Sequence, residues 1–263
     1  MLAQFEAYFP PEFNRYVEPF IGGGAVFFHL WNTRRLPGNV HAFLFDTNAE
    51  LINTYQMVKN DVENLIRLLK KHKRKHCKEY YYEIRNWDRE DITVRNVGRA
   101  ARMIYLNKTC YNGLYRVNRK GQYNVPIGSY KNPTIFQEET LRVTSASLQH
   151  GHLEVRDFRT VVDFALPGDF FYFDPPYHPV SSTSSFTNYT AGSFGDEDQR
   201  DLAQVFRELD KKGCLCMLSN SYTDLIHELY EDDFRVETVK ANRNINSKSS
   251  KRGSIKEVVV LNY

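Results

Sequence analysis

Two consecutive prolines directly after an unbroken apolar run limit the folds open to this chain more than any other feature. Phe170-Phe171-Tyr172-Phe173 has the length and composition of a buried strand, and Asp174-Pro175-Pro176-Tyr177 follows it without a spacer. Neither proline has an N–H to donate to a sheet ladder, so the strand must stop at Asp174. A carboxylate, two fixed carbonyls and an aromatic ring then share the carboxyl edge of a strand, which is where open α/β sheets bind ligands. The acceptors and the ring suit a flat molecule with an exocyclic amine.

The segments around this turn predict such a sheet. Arg15 to Phe20 reads as a strand running into Gly22-Gly23-Gly24, and Ala25 to Asn32 has helical spacing. Val40 to Phe45 is a second strand ending at Asp46, and Asn48 to Val58 is helical. Strand, glycine turn, helix, strand, helix is the opening of a doubly wound α/β fold. From Asp61 to about Lys108 only polar and basic helical segments are expected, with Ala100 to Leu106 the best buried-helix candidate. Tyr111 to Tyr130 follows, rich in Gly, Asn, Arg and Tyr, with Asn118-Arg119-Lys120-Gly121 as a turn. Strands are expected again at 153–155, 170–173 and 214–219, with helices at 197–211 and 222–230. Phe234–Val239 and Ile255–Leu261 read as a closing antiparallel pair. The 61–143 stretch therefore reads as an insertion into an α/β domain.

Composition narrows the function classes. The apolar share of 41% is ordinary for a globular protein, and no apolar stretch approaches the ~18 residues of a membrane span. The start, Met1 to Glu6, lacks the basic and apolar regions of a secretory signal. Cys77, Cys110, Cys214 and Cys216 have neither zinc nor disulfide spacing, so no metal and a reducing cytoplasm are expected. Cys214 and Cys216 are expected to be buried strand residues. The net charge is only +3, but cations cluster at Lys70–Lys78, at Lys248–Arg252, and at Arg116, Arg119, Lys120 and Lys131. Such runs can neutralise nucleic-acid phosphates, or can simply be a solvated helix end.

Two strand ends carry cofactor signals. In Glu18-Pro19-Phe20-Ile21-Gly22-Gly23-Gly24, glycines allow close ligand approach and the next helix start offers free N–H groups. Asp46, with Asn48, stands where an acid accepts hydrogen bonds from a ribose diol, although it could instead cap helix 48–58. Together they point to a nucleoside-containing cofactor. The glycines miss the spaced dinucleotide fingerprint, which disfavours nicotinamide and flavin.

These motifs resemble those of a Dam-type (D12 class) site-specific DNA adenine N6-methyltransferase. Glu18 to Phe27 resembles that family's cofactor loop and Asp174-Pro175-Pro176-Tyr177 its catalytic tetrapeptide. Leu106 to Asn118, continuing through Gly121 and Tyr123 to Gly128, resembles its recognition hairpin. Ser185-Phe186-Thr187-Asn188-Tyr189 with Phe194 resembles the loop after the catalytic turn. The matches run in family order from about residue 17 to the C-terminus.

The resemblance implies a Rossmann-like catalytic domain formed by residues 1–58 and 144–263, with a DNA target-recognition domain at 59–143. It implies S-adenosylmethionine as cofactor, with Glu18, Pro19, Phe20, Gly22 and Gly24 lining its methionine end. Asp46 and Asn48 would hold the ribose, and Asp157 and Phe158 would frame the adenine; Asp157 could alternatively cap the next helix. Asp174 and the Pro175 carbonyl would each accept one N6 hydrogen of an adenine flipped from duplex DNA, with Pro176 fixing the turn and Tyr177 stacking on the base. Arg116 would read guanine. Tyr111 and Asn112 would sit at the flipping site, and Leu114 and Pro126 could touch a thymine methyl. Asn118 would line the same DNA surface, although the Asn positions could be turn-makers. A GATC-like target, a monomer and double-stranded DNA as partner follow from the same resemblance. Family members usually carry a Lys-Trp-x-Gly-Gly-Lys-like segment before the cofactor strand. None precedes Arg15, so the chain is expected to begin late and hold its cofactor incompletely. The rival readings are an RNA or non-GATC amine methyltransferase, and a DNA-binding protein on a decayed methyltransferase scaffold.

Overall fold

The computed structural model describes residues 2–36, 41–89, 95–180, 194–242 and 254–263. The Ser181–Ser185 tract, the Ser185–Tyr189 match and the Lys248–Arg252 cluster lie outside the described residues. Helix α1 (Leu2–Phe5) precedes β1 (Tyr16–Glu18), α2 (Ala25–Asn32) and β2 (Ala42–Asp46). Helices α3 (Ala49–Asn60), α4 (Val62–Lys75), α5 (Lys78–Asn86), α6 (Asn96–Thr109) and α7 (Glu138–Leu148) follow. The chain then forms β3 (Gly151–Val155), β4 (Phe170–Phe173), α8 (Asp196–Lys211), β5 (Leu215–Ser221), α9 (Asp224–Tyr230), β6 (Arg235–Asn242) and β7 (Ser254–Leu261).

The strands make one mixed sheet in the order β3-β2-β1-β4-β5-β7-β6. β1 pairs in parallel with β2 and β4, and β4 with β5. β7 is antiparallel to both β5 and β6, so the expected closing pair forms with β7 on the inside. Strand order reverses between β1 and β4, which opens a crevice beyond their carboxyl ends. β4 stops at Phe173, as the two prolines require.

Arg15 and Asp169 fasten β1 to β4 at the opposite edge. The guanidinium Nε and Nη2 reach the two oxygens of a fully buried Asp169 at 2.8 and 2.5 Å. Asp169 also accepts the Leu166 N–H, so this buried charge is paired and hydrogen-bonded, the condition under which burial is tolerable. Val17, Phe171, Phe173, Leu218, Val258 and Val260 form one apolar sheet face under α8 and α9. In α8 the positions 202, 203, 206 and 209 repeat at helical spacing and are fully buried. Its first turn is acidic (Asp196, Glu197, Asp198), and Asp198 Oδ2 accepts the Gly195 N–H, so the helix start is capped and matches its dipole. Cys216 is a buried strand residue as expected, whereas Cys214 ends just before β5, where its thiol donates to the Leu166 carbonyl.

Chain packing divides the described residues into two compact units: 2–36, 41–47, 156–180, 194–242 and 254–263 in one, and 48–89 with 95–155 in the other. In the second unit, α6 buries Ala100, Ala101, Tyr105 and Leu106, as its pattern predicts. After α6 the backbone turns into a hairpin closed by bridges Cys110–Ile127 and Val117–Tyr123, without extended ladders. Its base is tight: a Cβ on Gly128 would lie 2.7 Å from the Cys110 carbonyl, so only glycine fits. Asp88 and Tyr81 anchor the hairpin, accepting the Tyr123 N–H at 2.8 Å and donating to the Val125 carbonyl at 3.0 Å respectively.

Candidate active site

Within the first unit, three acids stand at the carboxyl ends of neighbouring strands: Glu18 on β1, Asp46 on β2 and Asp174 after β4. Glu18 is 2% exposed and accepts the Tyr16 hydroxyl at 2.8 Å. Burial pushes its carboxyl up to about 8, and the nearby Asp174 and Asp46 push in the same direction. The Tyr16 hydroxyl and the Phe27 N–H offset only part of this. Asp46 Oδ2 accepts the Gly22 N–H at 3.2 Å, tying the second strand end to the glycine turn. Gly22 (φ 44°) and Gly24 (φ 67°) adopt left-handed backbone, and Gly24 leads into α2 without a side-chain cap. Pro19 and Phe20 bridge Glu18 to this turn. The cap of α3 is Asn48, whose Oδ1 accepts the Glu50 and Leu51 N–H groups, so Asp46 does not serve as that cap. Asn48 belongs to the second unit.

Phe20, Phe158 and Phe194 form an aromatic trio with ring centroids 5.3–5.7 Å apart. Asp157 caps the 3-10 turn that begins at Phe158, accepting the Arg159 N–H at 2.9 Å, which is the alternative role its position allowed.

The Asp174-Pro175-Pro176-Tyr177 turn is held by a network that sequence reasoning missed. Ser219 Oγ donates to Asp174 Oδ1 at 2.9 Å and lies 2.9 Å from the Tyr172 hydroxyl. Gln199 Nε2 donates to the Pro176 carbonyl at 3.0 Å and its Oε1 accepts Asn220 Nδ2 at 3.0 Å. Asn220 Oδ1 in turn accepts the His178 and Ser221 N–H groups. Gln199, Ser219 and Asn220 are all buried, and each bond satisfies a group that would otherwise be costly there. The Pro176 carbonyl is thus engaged, whereas the Pro175 carbonyl has no donor among the described residues. Asp174 reaches solvent at the end of β4, but protein fills the volume around its carboxylate. That desolvation raises its pKa, and hydrogen bonds from Ser219 and Tyr177 counter the rise. Tyr177 is half-buried beside the same carboxylate, and burial raises the pKa of its phenol.

The signal for Ser219 and Asn220 was available: Ser219-Asn220-Ser221 ends an apolar strand, as Asp174 does. Gln199 has a weaker one, an amide three and four residues before the buried Leu202 and Ala203 of α8.

In the second unit, the hairpin presents Tyr111 (50% exposed), Asn112, Arg116 and Pro126 on its surface. Asn112 has φ 55°, a left-handed conformation that Asn tolerates better than most side chains. Arg116 Nε donates to Asn124 Oδ1 at 2.8 Å, which braces the guanidinium and leaves its two terminal nitrogens as a fork. Asn118 Oδ1 accepts the Lys120 and Gln122 N–H groups and its Nδ2 donates to Gln122, so its amide builds the turn. Leu114 is half-buried, with its carbonyl held by the Tyr123 hydroxyl.

Comparison with known proteins agrees with this chemistry. A family model described as D12 class N6 adenine-specific DNA methyltransferase matches residues 1–245. The Type II methyltransferase M1.LlaDCHI of Lactococcus lactis subsp. cremoris is 44% identical over 267 residues, covering 100% of this chain and 91% of the relative. The Type II methyltransferase M.MjaIII of Methanocaldococcus jannaschii is 42% identical over 278 residues, covering 100% and 95%. The DNA adenine methylase of Haemophilus influenzae is 32% identical over 266 residues, covering 96% and 86%. Among the described residues no helix is long and apolar enough to cross a membrane. Acids at adjacent strand ends, a proline-fixed turn beside them and a match along nearly the whole chain lead to one assignment: this chain belongs to the D12 class N6 adenine-specific DNA methyltransferases.

Proposed function

We propose that the chain methylates N6 of an adenine turned out of duplex DNA, within a GATC-like site, using S-adenosylmethionine. The observation that carries this reading is the Asp174 carboxylate, fixed by Ser219 next to a Pro175 carbonyl that has no donor among the described residues. The crevice fits the cofactor's charge: Glu18, Asp46 and Asp174 make it acidic, and burial of Glu18 without a cation is costly. When bound, S-adenosylmethionine supplies an electrophilic methyl group. Glu18 and the Gly22–Gly24 turn would hold its methionine end, Asp46 its ribose, and Phe20, Phe158 and Phe194 would border its adenine.

Asp174 and the Pro175 carbonyl would each take one N6 hydrogen. The nitrogen lone pair, otherwise delocalised into the ring, is then directed out of the ring plane, and the positive charge that develops on nitrogen faces a carboxylate. Once alkylated the amine is acidic enough to lose its proton without a strong base. The half-exposed Tyr177 would stack on the base, which the duplex must release because N6 cannot meet the methyl donor in line inside the stack. The second unit would read the site, with the Arg116 fork on guanine in the major groove and Tyr111 and Asn112 at the gap left by the base. The hairpin's resemblance to that of Dam-type enzymes supports the GATC-like target.

Transfer of tritiated methyl to duplexes with and without GATC tests this. Label on N6 of GATC adenine alone is the expected result, abolished by Asp174→Asn. Label on RNA or on adenines elsewhere would refute the target, and binding without transfer would refute the activity.

A further inference from the structure

Positive charge clusters along α4 and at the start of α5. Arg67, Lys70, Lys71, Lys73, Arg74, Lys75 and Lys78 lie within twelve residues and all are exposed. Without these seven cations the chain, formally +3, would be negative. The opposite face of α4 buries Leu65, Ile66, Leu69 and His72, so helical periodicity forces the cations outward. Among the described residues, acids meet this face only at its margins: Glu63 pairs with Arg142, Glu138 pairs with Lys70 and Arg142, and Glu79 lies near Lys78. Among the described residues no carboxylate is within ion-pair distance of Lys71, Lys73, Arg74 or Lys75.

Such a face is an unfavourable way to solvate a helix. Like charges repel at a spacing of four, as in Arg67/Lys71, Lys70/Arg74 and Lys71/Lys75. The helix dipole favours cations only in the last turn, which accounts for Lys73, Arg74 and Lys75 but not for Arg67 and Lys71. Arg67, Lys71 and Arg74 share one stripe about 10 Å long, roughly the axial rise of three nucleotides on one DNA strand. The C-terminal end of α4 is tied through α6 to the hairpin within the same unit. His76, at the end of α4, bonds the Tyr105 hydroxyl of α6, and Thr109 at the end of α6 accepts the hairpin's Gly128 N–H.

We propose that this face of α4 (Arg67, Lys71, Arg74 and Lys75) is a second DNA contact, which binds duplex phosphates flanking the target without reading sequence. The proposal rests on the duplex-DNA reading above and extends it to DNA outside the site. The test is fluorescence anisotropy on duplexes of about three helical turns, across a salt series, with wild type and the Lys71→Gln/Arg74→Gln/Lys75→Gln variant. Each lost phosphate contact should lower the slope of log affinity against log salt by about 0.9, so a decrease of about 2–3 is expected. Preference for target over scrambled duplex should be unchanged, and thermal unfolding should show an intact or slightly more stable fold. An Arg34→Gln/Lys211→Gln/Arg235→Gln variant, matched in charge but located in the first unit, should keep the wild-type slope. An unchanged slope in the α4 variant overturns the proposal, as does an equal decrease in the control or a loss confined to RNA. If wild type methylates duplex adenine, such a result refutes this surface alone; if wild type neither binds nor methylates duplex, both readings fall.

Discussion

Replacing Glu18 by Gln should stabilise the ligand-free protein, but only at high pH. Burial raises this carboxyl from 4.5 to about 8, a difference equivalent to about 5 kcal/mol at 1.36 kcal/mol per decade. The folded state holds the proton more tightly than the unfolded chain. The wild type therefore loses stability as pH climbs from about 4.5 to about 8 and is level beyond that. Gln mimics the protonated acid, and the Tyr16 hydroxyl can turn to suit either, as it must already do for protonated Glu18. Water entering the open crevice lessens the penalty, so a gain of about 2–5 kcal/mol is expected near pH 9 and less than about 1 near pH 5. Urea unfolding of both proteins at the two pH values measures it. A variant less stable at pH 9, or a difference independent of pH, would refute a buried, uncompensated charge at this strand end. Binding a cationic cofactor should reverse the preference: Glu18 would ionise, releasing most of a proton per site near pH 7. Calorimetry in buffers of different ionisation enthalpy would record this, and the Gln variant should release none.

Ser219→Ala leaves the buried Tyr172 hydroxyl and one Asp174 oxygen without a partner, costing about 1–3 kcal/mol in thermal unfolding. Losing that donor also raises the Asp174 pKa further, so the acidic limb of the pH–rate profile should move to higher pH; Ser219→Thr should restore it. Gln199→Leu strips a partner from both the Pro176 carbonyl and the Asn220 amide, and should reduce turnover more than duplex affinity, as single-turnover and binding assays would show. Arg116→Ala should relax specificity at one base pair by about 1–3 kcal/mol in competition with single-base variants, whereas a uniform loss would make it a phosphate contact.

The parts of the fold that were legible share one property: burial on both faces or on one regular face. Phe170–Phe173 and the periodic apolar residues of α6 and α8 announce themselves because the core accepts nothing else. Where a polar residue is buried, composition misleads, because the cost is met by a partner far along the chain. Gln199 and Asn220 stand 21 residues apart, and only the fold joins them to Pro176. Asp157 shows the converse: an acid after a strand satisfies either a ligand or the next turn, and local pattern does not separate the two. In the hairpin the sequence favours Arg116 for touching DNA and leaves Asn118 open as a turn-maker, and hydrogen bonding commits the Asn118 amide to its own turn and braces the Arg116 guanidinium.

Arg15 and Asp169 give the sheet a direction in which to open. Opposite charges lock β1 to β4 at one end, while above about pH 8, where Glu18 ionises, Glu18 and Asp174 repel each other at the other, so the two strands resemble a clothes-peg sprung at its jaws. Slow fluctuations of the ligand-free protein should start at the carboxyl ends of β1 and β4 and die out toward Arg15. Amide hydrogen exchange would then grade along a single strand pair, with a cation between the jaws flattening the gradient. Binding and local folding of the crevice would be one event, felt least where the strands are already bolted.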